Sequence, residues 1–129
     1  MKVTLIIGLP GSGKTMFAKT LLGPTSVLLD DLNQKFSLPG DLDLSSFDHV
    51  VITDPNACTA PRNRVETKLK DWFGEDAKIN IVAFENDPEQ AAANVAARND
   101  GRSVNSSTIA VFSKHYRPEQ FDTVRPVWR

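Results

Sequence analysis

Eight consecutive residues, Gly8-Leu9-Pro10-Gly11-Ser12-Gly13-Lys14-Thr15, constrain this chain more than any other stretch of it. Three glycines and a proline in so short a span fit neither a regular strand nor a helix interior, so the backbone turns there. Before the turn, Val3 to Ile7 is an unbroken apolar run, the pattern of a strand covered on both faces. After it, Met16, Phe17, Leu21 and Leu22 recur at helical spacing. Gly23-Pro24 is expected to end that helix, because proline cannot continue it and glycine accepts a left-handed cap. A buried strand turning directly into a helix starts a βαβ unit, and its double cover calls for helices on both sides of one sheet.

The remaining pattern continues that alternation. Ser26 to Leu29 reads as a second strand delivering Asp30 and Asp31 at its C-terminal end. Residues 32–47 hold no clean period around Pro39-Gly40 and read as a partly helical cover. Val50 to Ile52 is a third buried strand ending in Thr53-Asp54-Pro55. Val65, Leu69, Trp72 and Phe73 mark one helix face, with Pro61 near its start and Gly74 after its end. Ile79 to Phe84 makes a fourth strand. Asp87-Pro88-Glu89-Gln90 combines an N-cap with a proline at the first helical position, opening an alanine-rich helix to about Asn99, with Gly101 as its stop. Ser106 or Ser107 can cap a last helix carrying Ile109, Phe112 and Tyr116 on one face, and Phe121 to Val127 returns as an edge strand. The expected fold class is α/β, a three-layer domain over residues 1–129 with a mainly parallel sheet of four to five strands and helices on both faces.

Fifteen Lys and Arg against sixteen Asp and Glu leave a formal charge of −1, so any polyanion contact has to come from a local patch. The segment from Arg98 onward offers one, with Arg98, Arg102, Lys114, Arg117, Arg125 and Arg129 against Asp100, Glu119 and Asp122. Cys58 is the sole cysteine, which excludes an internal disulfide framework and a multi-cysteine zinc site. Gly8 and Pro10 break the first apolar run too early for a signal segment, and no later run is long enough to span a bilayer. A cytoplasmic protein without a membrane partner is the expectation.

The turn fits G-x-x-x-x-G-K-[ST], the phosphate-binding loop or Walker A pattern, at every fixed position. Its glycines let successive backbone N–H groups point inward at phosphate oxygens, and the positive end of the following helix adds to the attraction. Gly8, Pro10, Gly11, Ser12, Gly13, Lys14, Thr15 and Met16 are therefore the candidate nucleotide-binding residues. Lys14 supplies a point charge for the β- and γ-phosphates, and the Thr15 hydroxyl is a hard oxygen suited to Mg²⁺. The expected fold narrows to the P-loop NTPase class, with ATP and Mg²⁺ as cofactors.

In open α/β sheets ligands sit outside the carboxyl ends of the strands, which singles out three aspartates. Asp30 can accept the proton of an attacking hydroxyl, or cap the next helix; Asp31 can do the same. Asp54 ends a strand like that of a Walker B motif, where a carboxylate holds Mg²⁺ directly or through water, or it is a turn residue before Pro55. Arg98 and Arg102 flank Asn99-Asp100-Gly101, a turn that could serve as a lid over residues 98–105 and bring a guanidinium to the transferring phosphate. Arginines there could equally satisfy a helix C-terminus. Arg62 and Arg64 read as a solvated face, and His49 and His115 lack the neighbours of a metal or catalytic site.

Taken with these placements, the chain resembles, over almost its whole length, the P-loop kinase domain of phage-type polynucleotide 5′-hydroxyl kinases and their small P-loop kinase relatives. Gly8 to Thr15 resembles that family's ATP loop, and Val27-Leu28-Leu29-Asp30-Asp31 the strand whose first aspartate activates the acceptor. Val50 to Asn56 followed by Arg62 to Glu66 resembles the third strand and its helix, and Arg98 to Val104 the lid. The resemblance implies Lys14 and Thr15 at phosphate and metal, Asp30 as general base, and Arg102 at the transferring phosphate. Asn33 stands where the family carries an arginine, and the phosphatase domain of some members has no counterpart.

The functional expectation is an ATP-dependent kinase moving the γ-phosphoryl group to an acceptor hydroxyl, either a polynucleotide 5′ end or a nucleotide or other small hydroxyl-bearing molecule. An acceptor-independent NTPase or a nucleotide-binding module is the alternative from another class. A regulatory GTPase would need D-x-x-G after the third strand and N-K-x-D for guanine, and the chain has neither.

Overall fold

A computed structural model describes residues 2–30, 47–53, 61–98, 106–121 and 123–127. In chain order its elements are β1 (Lys2–Ile7), α1 (Lys14–Thr20), β2 (Ser26–Asp30), β3 (His49–Thr53), α2 (Arg62–Phe73), β4 (Lys78–Phe84), α3 (Pro88–Arg98), α4 (Ser106–His115), a 3-10 turn at Pro118–Gln120 and β5 (Thr123–Arg125). The strands form one sheet in the order β2-β3-β1-β4-β5. Every pairing is parallel. Strand β1 lies at the centre, which is why Val3 to Ile7 are all buried.

The two faces of the sheet have different covers. Val3, Leu5 and Ile7 share a core with Val65 and Leu69 of α2, Ala91 of α3, Ile109 of α4, and Tyr116 just after α4. Ile6, Val51 and Phe84 pack on the other face with Ala18 of α1, joined by Phe17 and Leu21. The expected helices on both faces are present, and the β3–α2–β4 and β4–α3–α4–β5 crossovers explain why three of the four lie on one side: both connections step in the same direction across the sheet. Fully burying one Val, Leu or Ile side chain stabilises a fold by about 1.5–3 kcal/mol, so this larger core carries most of the cohesion.

Element ends depart from the expectations in instructive ways. Helix α1 stops at Thr20, and Gly23 has no left-handed backbone; Leu21 ends the helix in right-handed conformation, its N–H donating to Ala18 O and that of Leu22 to Lys19 O. Of the apolar positions in and after α1, Phe17 and Leu21 pack against the sheet beside buried Ala18, while Met16 is 53% and Leu22 38% exposed. Strand β5 is shorter than its apolar run, although Phe121 and Val127 on either side of it are buried. Helix α3 begins as expected, with Pro88 first and Asp87 Oδ1 accepting from Gln90 N at 3.2 Å. Helix α2 follows Pro61, which cannot cap by side chain; Gln120 caps it instead, its Oε1 accepting from Arg62 N at 2.8 Å. Arg62 is thus more than a solvated face, bonding Gln120 O at 3.0 Å and Glu66 at 2.9 Å.

Candidate functional site

The loop between β1 and α1 has the backbone that its glycines allow. Gly11 has φ +84° and Gly13 φ +102°, both in the left-handed region. Gly13 is the residue preceding α1, and its carbonyl accepts from Phe17 N at 3.0 Å. Within the loop, Ser12 N donates to Leu9 O at 3.1 Å, closing a tight turn. The same carbonyl receives Lys14 Nζ at 3.0 Å, and Lys14 is only 6% exposed. An ammonium buried in its own loop is a charge-assisted donor suited to phosphate oxygen.

One further polar group marks the loop. The Ser12 hydroxyl is fully buried against Gly8, in the space a side chain there would fill, and it makes no hydrogen bond among the described residues. An unmet buried hydroxyl is costly, and such atoms concentrate where a fold has kept a polar group for a purpose. The inward-curled loop, the buried cation and this hydroxyl fit a polyphosphate.

The parallel register brings one further candidate, Asp30, to the C-terminal edge of the sheet. Ile6 pairs with Thr53, and Thr53 pairs with Asp30, so β1, β3 and β2 end side by side below the loop. Two strand spacings separate Asp30 from β1, about 10 Å. For Asp30 the structure describes the backbone alone; Asp31, Asn33 and Asp54 lie outside the described residues. Arg98 is the last residue of α3, with its backbone alone described, and Arg102 and the rest of the expected lid over residues 99–105 lie outside the described residues. Cys58 does also. Among the described residues, no group of three or more His, Cys, Asp or Glu could hold a metal by itself, and no helix is long and apolar enough to cross a membrane.

The hydrogen-bonding roles of several residues that support the loop escaped sequence reasoning. Tyr116, 1% exposed, donates its hydroxyl to Phe84 O at 2.5 Å with Ile7 O at 3.3 Å, tying together the ends of the two strands that border the loop. Asn86 donates to Ser113 O at 2.8 Å and accepts from Ser113 Oγ at 2.6 Å, fixing the exit of β4 to α4. Asn94 Nδ2 donates to Gly11 O at 2.9 Å. Its only signal in the sequence was a polar residue between Ala91 and Val95 on an otherwise small, apolar helix face. On the opposite face, the Arg125 guanidinium lies 4.3 Å from the Phe17 ring centre, and Phe17 meets Phe84 edge-on at 6.1 Å, joining β5 to α1.

Away from the loop, His49 Nε2 is 2.9 Å from Thr4 Oγ1 at the opposite end of the sheet. Burial, and secondarily Lys2, hold its pKa below the ordinary 6.5, with Asp48 opposing. A groove of about 260 Å³ lined by Arg62, Glu66, Lys70, Asn80, Ile81 and Phe121, among others, lies beside α2 and has no residue in common with the loop.

No protein-family model matches this sequence. Over 118 residues it is 29% identical to an uncharacterised protein of Acanthamoeba polyphaga mimivirus, covering 89% of this chain and 86% of the relative. A gluconokinase from Sinorhizobium meliloti superposes with a TM-score of 0.64 at 11% identity, over 99% of this chain and 83% of that one. A tunicamycin resistance protein from Deinococcus radiodurans superposes with a TM-score of 0.57 at 20% identity, over 97% of this chain and 85% of that one. The chain shares the α/β fold of these two proteins, a P-loop NTPase-like fold.

Proposed function

We infer that this domain is an ATP-dependent kinase that moves the γ-phosphoryl group to an acceptor hydroxyl. One observation carries the reading: a glycine-shaped loop between a central parallel strand and a helix, closing on a buried lysine, in a domain with a P-loop NTPase-like fold. The backbone of residues 8–16 would hold the triphosphate, and Lys14 would exchange its Leu9 carbonyl for the β- and γ-phosphate oxygens. Thr15 and Asp54 would hold Mg²⁺, which neutralises charge building on the phosphate oxygens when bound.

Asp30 stands at the C-terminal end of β2, at the same sheet edge as the loop, and we assign it as the general base. Its carboxylate would take the acceptor proton as the acceptor oxygen bonds to the γ-phosphorus; the bond from that phosphorus to the β–γ bridging oxygen breaks, and ADP leaves. Arg98 and Arg102, at and beyond the end of α3, supply guanidinium charge to the transferring oxygens in this reading. The resemblance supports a polynucleotide 5′-hydroxyl as acceptor. Asn33 in place of the family arginine, together with a net charge of −1, supports a nucleotide or other small hydroxyl compound as the second reading.

Incubation with γ-labelled ATP and a panel of 5′-hydroxyl oligonucleotides, nucleosides, nucleotides and sugars discriminates these. Label on one class of acceptor supports the kinase and names its substrate. Label released only as inorganic phosphate, at a rate no acceptor changes, makes the domain an NTPase; ATP binding without turnover makes it a binding module.

A further inference from the structure

Helix α3 meets the phosphate loop at Gly11 through one hydrogen bond, itself braced within the helix, and one close backbone approach. Asn94 Nδ2 donates to Gly11 O at 2.9 Å. One turn earlier, Gln90 Nε2 donates to Asn94 Oδ1 at 3.0 Å. Gly11 itself approaches α3 so closely that a Cβ there would strike the Ala91 carbonyl oxygen and stand 2.7 Å from Val95 Cγ2. A carbonyl oxygen can only accept, so Asn94 has to present its NH₂ to Gly11 and its oxygen to Gln90; the chain of donors and acceptors has one consistent direction.

The carbonyl and the N–H of a trans peptide point in opposite directions. The peptide joining Gly11 to Ser12 is therefore held at both ends, its oxygen by Asn94 and its N–H by Leu9 O. That matters because a loop with glycines at three of its first six positions has wide conformational freedom, and ordering it on ligand binding would weaken affinity. We propose that Asn94, oriented by Gln90, is a positioning residue for the nucleotide phosphates: it holds the Gly11–Ser12 peptide plane and so shapes the loop before the ligand arrives. The role rests on the nucleotide-binding reading above. Asn94 touches the loop backbone and acts through it, leaving phosphate contact to the loop amides and Lys14.

The Asn94→Asp variant tests this, since it keeps the side-chain shape and sets a carboxylate oxygen against the Gly11 carbonyl. Three quantities are read: exchange of the Ser12 amide without nucleotide by NMR, Kd for Mg·ATP by calorimetry, and the melting temperature. The expected result is Ser12 exchange faster by about tenfold and Kd raised by about tenfold, the scale of one hydrogen bond, with the melting temperature lowered by no more than about 5 °C. Gln90→Leu, which leaves the Asn94 amide unsupported, should move both readouts in the same direction by about threefold, and it serves if Asn94→Asp does not fold. Folded variants with unchanged exchange and unchanged Kd overturn the clamp. Unchanged exchange in a protein that binds ATP removes the clamp alone. A wild-type protein that binds no ATP, with exchange still quickened in the variant, removes the nucleotide reading and leaves Asn94 a purely structural contact.

Discussion

Removing one oxygen atom from Tyr116 should loosen the frame of the loop by a measurable amount. The ring is 1% exposed, and its hydroxyl donates to Phe84 O while lying 3.3 Å from Ile7 O. Tyr116→Phe keeps the ring packing and deletes the donor, leaving buried carbonyl oxygen without it. A net hydrogen bond is worth about 1 kcal/mol and an abandoned buried acceptor costs about 1–3 kcal/mol, so the expected loss is about 1.5 kcal/mol. A domain of 129 residues unfolds with an entropy of about 0.27 kcal/mol per kelvin, which converts that loss to a melting temperature lower by about 5 °C. Tyr116→Ala adds the loss of a large buried ring and should cost about 3–5 kcal/mol. Urea denaturation at 25 °C reads both: the midpoint should fall in that order while the slope stays constant. A phenylalanine variant within about 0.3 kcal/mol of wild type would show that the hydroxyl holds nothing together, and the account of how β1 and β4 are tied below the loop would be wrong.

Gly11→Ala should impair nucleotide binding more than it impairs folding, because its Cβ meets the Ala91 carbonyl and its φ of +84° costs a non-glycine residue about 1–2 kcal/mol; equal ATP affinity in the variant would contradict this. Lys14→Ala and Asp30→Asn should each lower phosphoryl transfer by about 10²-fold or more with far-ultraviolet circular dichroism unchanged, and full activity in both would overturn the kinase assignment. His49 makes stability pH-dependent in a known direction. Its folded pKa lies below the ordinary 6.5, so the unfolded chain takes up the proton first as pH falls; the contribution is complete above about 6.5 and is lost on descent from there towards the folded value. Between pH 7.5 and 5, His49→Gln should therefore lose less stability than wild type in chemical denaturation.

The sequence by itself determined the loop, the parallel α/β class and most element positions, for local reasons. Glycine and proline spacing, the apolar run at Val3 to Ile7 and the Asp87-Pro88 helix start each act through a few neighbouring residues, so they are legible without a partner. Tertiary structure decided the strand order, which brings Asp30, Thr53 and Ile6 into one register, and the unequal covering of the two faces. It also decided the supports: Gln120 capping α2 across 58 residues, Tyr116 reaching Ile7 across 109, and Asn94 reaching Gly11 across 83. A polar side chain carries no mark of its distant partner, and apolar spacing alone did not separate Phe17 and Leu21, which pack on the sheet, from Met16 and Leu22, which stay exposed.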